Sequence, residues 1–446
     1  MMTNIQASLP PFPRMQPALL LLLLIISLFH WVSVPPETMG ATIGVPLYTP
    51  KKPLGALEYR RGVAALIKGE LKKAEEAFQH TLDQEPNHVG ALVGLAEVAV
   101  KKGDHQATER YLKHALRVAP ENASIHQVWG RHLLIQNRLQ EAEASYKRGL
   151  ELNPKLTGLH VDLGNLYLLR LKKPNEAVGA YEAALNLDSS HAGAHHGLGS
   201  ALVALGEIDR AEAEFNEAGR LAPSNPLPFH ALGRIHASHK KFDKATQAFS
   251  SALKARSTFF PALIARGDIY TTQGHDDKAL KEYEAAVTLV PKLGALRVKM
   301  GLLHERNHRF DEAAKAFQTA IDLDPKQVIA YNNLAWISAE QNIRLENALT
   351  WAKKAVELAP KVPAFQDTLG WVYWKRGNIE EAATALEKAS TMKPEQADIF
   401  YHLGVVQAER GRTDEAITAL KKALTLSGDF PQADDARQRL QALESP

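Results

Sequence analysis

The 446-residue sequence predicts an all-α fold, a solenoid of about eleven stacked helix pairs, on three observations. A proline returns at Pro86, Pro120, Pro154, Pro223, Pro291, Pro325, Pro360 and Pro394, at intervals of 34 or 35 with double steps of 69 and 68 that Ser189 and Ser257 bridge. A large apolar residue followed by Gly or Ala returns with the same period, as in Trp129-Gly130, Leu198-Gly199, Leu232-Gly233, Met300-Gly301, Leu334-Ala335 and Leu403-Gly404. Alanine, then an aromatic or leucine four residues on, then alanine three further returns as Ala211, Phe215, Ala218, as Ala313, Phe317, Ala320 and as Ala382, Leu386, Ala389. A fixed period of this length marks units that bury their apolar faces only against their neighbours.

In chain order, residues 1–16 form a short, weakly basic tail. Pro17 to Val34 is apolar except for Ser27 and His30, and as a helix it would be about 27 Å long against a bilayer core of about 30 Å. It reads as a transmembrane helix, with a signal peptide as the alternative, for which Thr38-Met39-Gly40 is the best local cleavage candidate. The expected location is a single-pass membrane protein with its repeats on the extracytoplasmic side and the lipid bilayer as a partner through residues 17–34. If the segment is cleaved, the expected location is secreted or periplasmic. Pro35, Pro36, Pro46, Pro50 and Pro53 make residues 35–54 a stiff spacer.

Eleven units then fill residues 55–430, beginning at residues 55, 89, 123, 157, 192, 226, 260, 294, 328, 363 and 397. Each reads as two helices. A glycine inside the first costs about 1 kcal/mol against alanine, so its recurrence in register predicts close approach of the second helix. Spacings of four and three place the alanines and the aromatic of the second helix on one face. Gly69, Gly103, Gly206, Gly274, Gly377 and Gly411 fall where the first helix must end, in a left-handed position. Units four and nine carry one additional residue each, near Lys172-Lys173-Pro174 and Asn342-Ile343-Arg344, expected as local loops. Residues 431–446 read as a capping helix and tail whose charges solvate the open end of the stack.

Units such as 363–396, with Leu369-Gly370, Tyr373, Gly377, Ile379, Ala382, Leu386, Ala389 and Pro394, resemble the tetratricopeptide repeat family. That resemblance implies a right-handed superhelical solenoid whose first helices line a concave groove that binds proteins or peptides. An N-terminal anchor followed only by repeats is similar to bacterial envelope scaffolds of this family. It implies a non-enzymatic scaffold or adaptor organising an export or assembly complex, with a self-associating structural protein as the alternative.

Composition narrows the chemistry. With no cysteine, the chain has no disulfide, thiolate nucleophile or cysteine-held metal. Lys and Arg number 53 against 50 Asp and Glu, a net charge of +3, so no nucleic acid partner is expected. His304-Glu305-Arg306-Asn307-His308 satisfies the His-Glu-x-x-His pattern of zinc hydrolases, which needs both histidines on one helical face. In the repeat register, however, His308 stands in the column of the turn glycines, where the helix is ending. A packed pair of histidines is therefore expected, with a metal-dependent hydrolase as the rival reading. His191, His195 and His196 lie in a turn and on different sides of a helix, which favours no dedicated metal site. No cofactor is expected.

Binding then falls to the first helices of the last three units. Asn332, Asn333, Trp336, Asp367, Trp371, Trp374, Lys375, Tyr401 and His402 are the expected groove residues, because aromatic anchors beside polar groups suit a peptide. An alternative role for Trp371 and Trp374 is to seal neighbouring units. Arg131, Asn165, His230, Arg234 and Asp268 are a sparser polar set towards the N-terminus.

Overall fold

The computed structural model describes residues 56–445, in which 23 α-helices follow one another with no strand among them. They pair into eleven units and a final helix, and each unit's two helices pack together before the next unit is added. The chain divides between Ala262 and Leu263 into two compact units of structure, the first holding repeats one to six and the second most of the remainder.

The glycine of each first helix has the expected packing reason. A methyl built on Gly301 would lie 2.6 Å from the Phe317 ring, and one on Gly130 would lie 2.3 Å from Tyr146. Both rings are buried, so the backbone of one helix rests directly on the aromatic of its partner. Unit nine replaces both members of the pair: Ala335 stands where the glycine does and Ala352 where the aromatic does, both at 0 % exposure. The methyl fits there because the opposing ring is gone.

Every unit turns between its helices through a left-handed residue in one shared column. Six are the expected glycines, and Asn137, Lys172, Lys240, His308 and Asn342 fill the same column with φ between 54° and 60°. The turn is thus set by the repeat rather than by glycine, at a local cost of about 1–2 kcal/mol for a side chain in that region.

The additional residue of unit four is not a loop. It is absorbed as a π-helical turn, Leu166–Leu171, that continues the helix Thr157–Asn165 and ends at Lys172 with φ 56°. Leu166 and Tyr167 stay buried in this arrangement, which a loop would have exposed. In unit nine the additional residue does enter the turn, where Asn342 and Arg344 are both left-handed. The final helix, Ala433–Glu444, buries Ala433 and Ala436 beside Phe430 and Tyr401 and ties Asp435 to the Tyr401 hydroxyl at 2.7 Å.

The transmembrane helix, the bilayer as a partner and the single-pass membrane location are corrected. No helix among the described residues is long and apolar enough to cross a membrane. Most helices have 14 residues or fewer, about 21 Å, because each is cut to the length of one repeat. Pro17 to Val34, on which those expectations rested, lies outside the described residues, as do the tail 1–16 and the spacer 35–54.

Candidate functional site

The zinc-hydrolase reading fails on geometry. The helix carrying His304 ends at Arg306, Asn307 closes it, and His308 sits beyond in the left-handed turn, so the two histidines do not share a helical face. Burial pushes the Glu305 carboxyl up to about 8, which leaves it protonated at neutral pH and unable to serve as a base. Among the described residues no group of three or more His, Asp or Glu is placed to hold a metal. The other histidine cluster is spent on structure: His191 Nδ1 accepts from the Ala194 amide, His195 bonds Glu214 at 2.6 Å, and His196 packs on Phe215.

In repeats two to six several polar residues of the first helices are engaged within the fold, although His126, His132, His196 and His236 each keep a buried ring nitrogen with no hydrogen-bond partner. Arg131 joins Glu97 and Asp162 at 2.9 Å each, linking three successive units, and Gln127 adds a bond to Asp162. Asn165 accepts from the Tyr181 hydroxyl, and His230 lies against Phe249 and Phe259, where burial pushes its imidazole down to about 3. In repeats seven and eight Asp268 takes the Tyr283 hydroxyl and Lys299. Opposite charges one repeat apart, as at Glu97 and Arg131, are the sequence signal for this ladder.

Units nine to eleven differ. Their first helices, Val328–Glu340, Pro363–Lys375 and Ala397–Glu409, lie side by side. Trp371 stands at the centre of their face, 6 % exposed, with its ring centroid 6.3 Å from Trp336, 4.2 Å from Trp374 and 4.2 Å from the His402 ring. Its indole N–H donates to Glu340 at 2.6 Å. Trp371 therefore seals the units, while Trp336 and Trp374 remain half-buried at its sides. Lys375 holds its ammonium 4.9 Å from the Trp374 ring centroid and 5.3 Å from that of Trp371.

Beside this ladder lie buried polar groups. His402 Nδ1 bonds Asp367 at 2.8 Å. Burial alone would lower the imidazole, but Asp367, then Asp398 and Glu340, outweigh it and raise it above the ordinary histidine value. Asn332 donates to Asn333, leaving Asn332 Oδ1, Asn333 Nδ2 and His402 Nε2 buried with no hydrogen-bond partner. A buried polar atom left unpaired costs about 1–3 kcal/mol, and three on one face concentrate that cost. Tyr401, like Trp371, is claimed within the fold, since its hydroxyl is taken by the final helix.

Two tetratricopeptide repeat models match, one over residues 65–131 and 168–235 and the other over 230–293, 298–363 and 368–434. Among curated proteins the chain is similar to the cellulose synthase operon protein C of Komagataeibacter xylinus, 34% identical over 101 residues, covering 20% of this chain and 8% of that protein. It is also similar to a TPR repeat-containing protein of Treponema pallidum, 30% identical over 115 residues, 26% of this chain and 14% of that one. Protein bimA of Emericella nidulans is 30% identical over 122 residues, again covering only 14% of its length. The chain thus spans a small part of the curated relatives it matches. Among solved structures it is similar to the APC/C hetero-tetramer Cut9-Hcn1, with TM-score 0.44 and 16% identity over 92% of this chain and 99% of that one. Pseudomonas aeruginosa pilF gives TM-score 0.41 and 18% identity over 47% of this chain and 95% of that one. The repeat register, the helix pairs and the matches along most of the described residues agree, and the chain belongs to the tetratricopeptide repeat family.

Proposed function

We propose that this protein is a scaffold that holds another protein on the first helices of units nine to eleven. The observation that carries the reading is the pair of half-buried indoles, Trp336 and Trp374, packed on either side of the sealed Trp371. Glu97, Gln127, Arg131 and Asp162 of repeats two to four, by contrast, are bonded to one another. A bound chain would cover the indoles, a contact of the kind that concentrates binding energy at interfaces. The complex it organises is proposed to be one of export or assembly, the setting that the family resemblance implies.

The test is affinity capture from native cells with the full chain and with a Trp336→Ala, Trp374→Ala, Asn333→Ala variant whose helix content is unchanged. Loss of the captured partner supports the reading. Unchanged recovery, or light scattering showing that the face instead holds a second copy of this chain, overturns it.

A further inference from the structure

The geometry points to a cation as the ligand of this face: we propose that a basic peptide lays an arginine or lysine side chain on Trp374, between the carboxylates of Glu340 and Glu409. The inference rests on the reading of units nine to eleven as the docking face and names the chemistry that the face selects. Lys375 already shows that the indole surface accepts a cation, with its ammonium 4.9 Å from the Trp374 centroid and paired with no carboxylate. The negative face of an indole attracts a positive charge, an attraction that strengthens as water is excluded.

The surrounding charge has the complementary sign. Glu340, Lys375 and Glu409 occupy the same place in three successive first helices, so a carboxylate flanks the lysine on each side. Glu340 spends one oxygen on the Trp371 N–H, and Glu409 is exposed with no ion-pair partner. Deeper in the face, the carboxylates of Asp367, Asp398 and Glu340 together overcome the burial of His402 and favour its charged form. The wall is negative even after that imidazolium is counted. Lys375 is then a placeholder that an incoming guanidinium displaces, rather than a receptor for an anion.

Because an anion receptor and a placeholder predict opposite effects of removing Lys375, one experiment decides. The purified full chain is titrated with capped synthetic peptides of alternating alanine and arginine, alanine and glutamate, or alanine and serine. Tryptophan emission and calorimetry follow binding at low and moderate salt. The arginine peptide is expected to bind best and to shift the emission. Trp374→Ala should weaken it about 2- to 30-fold, Trp374→Phe should restore part of the loss, and Glu409→Gln should weaken it about 3-fold. Lys375→Ala should tighten it severalfold.

Preference for the glutamate peptide, together with weaker binding in Lys375→Ala, would overturn the inference while leaving the docking face in place. Arginine-peptide binding that ignores Trp374→Ala and Lys375→Ala would place the site elsewhere and overturn it as well. Failure of all three peptides to bind overturns the cation inference, and the capture experiment then decides the face separately. Trp374→Phe and Lys375→Ala leave Trp371 in place, so a failure to fold does not obscure the result.

Discussion

Glycine to alanine is expected to change stability in opposite directions at two helical sites of this chain. At Gly301 the new methyl would stand 2.6, 2.8 and 2.9 Å from three atoms of the Phe317 ring, where ordinary contact begins near 3.4 Å. The ring is 0 % exposed, held among Ala313, Ala320 and Leu334, and has to move by most of an ångström. Overpacking of that kind costs about 1–3 kcal/mol, while alanine recovers about 1 kcal/mol of helix propensity, so the net loss is about 1 kcal/mol. At Gly179, inside the helix Pro174–Leu187, a methyl would meet nothing within 4 Å and the site is exposed, so the same substitution should gain about 0.5–1 kcal/mol. Repeat arrays unfold by neighbouring units, so the assay is native-state hydrogen exchange of amides in the affected pair, supported by urea unfolding. If Gly301→Ala stabilises its unit as Gly179→Ala does, the glycines are not there for the rings. The reasoning about the repeat then fails.

Four further outcomes follow from the same structure. His308→Gly and Lys240→Gly, at φ 58° and 56°, should each stabilise by about 0.5–1 kcal/mol in urea unfolding, since glycine relieves the left-handed strain but costs chain entropy. His196, pushed down to about 4 by burial, binds its proton more readily unfolded, so its contribution is present above about pH 6.5 and is lost as pH falls towards 4. Thermal unfolding should show a loss of about 2 kcal/mol by pH 5 that His196→Phe removes. Glu305, pushed up to about 8, acts with the opposite sign, contributing below about pH 4.5 and losing that contribution as pH rises through 8, so Glu305→Gln should stabilise at pH 8. Deleting residues 433–446 uncovers Tyr401 and Phe430, and hydrogen exchange should quicken in units ten and eleven while unit eight is unchanged.

The repeat was legible because stacking imposes the same steric demand in every unit. Gly301 and Phe317 must recur together, and the turn must recur even where glycine does not, which is why His308 could be placed in a turn and removed from a zinc site on register alone. Period also carried Trp336, Trp371 and Trp374 to the same side of neighbouring helices. It does not carry contact. Only packing shows that Trp371 is sealed between units while Trp336 and Trp374 keep an open side, and that Tyr401 is claimed by the final helix.

The sequence by itself therefore determined the architecture, through a period that each unit's burial requires. Tertiary structure alone decided which polar groups are spent. Arg131 and Asp268 look like groove residues in the register, yet partners 31 to 34 residues away have claimed them, whereas Asn332, Asn333 and His402 keep an atom without a partner. It also decided that an additional residue in unit four lengthens a helix by a π-turn, because keeping Leu166 and Tyr167 buried costs less than exposing them in a loop. Satisfaction of a buried atom depends on distances between separate repeats, and those distances are set by how the units stack.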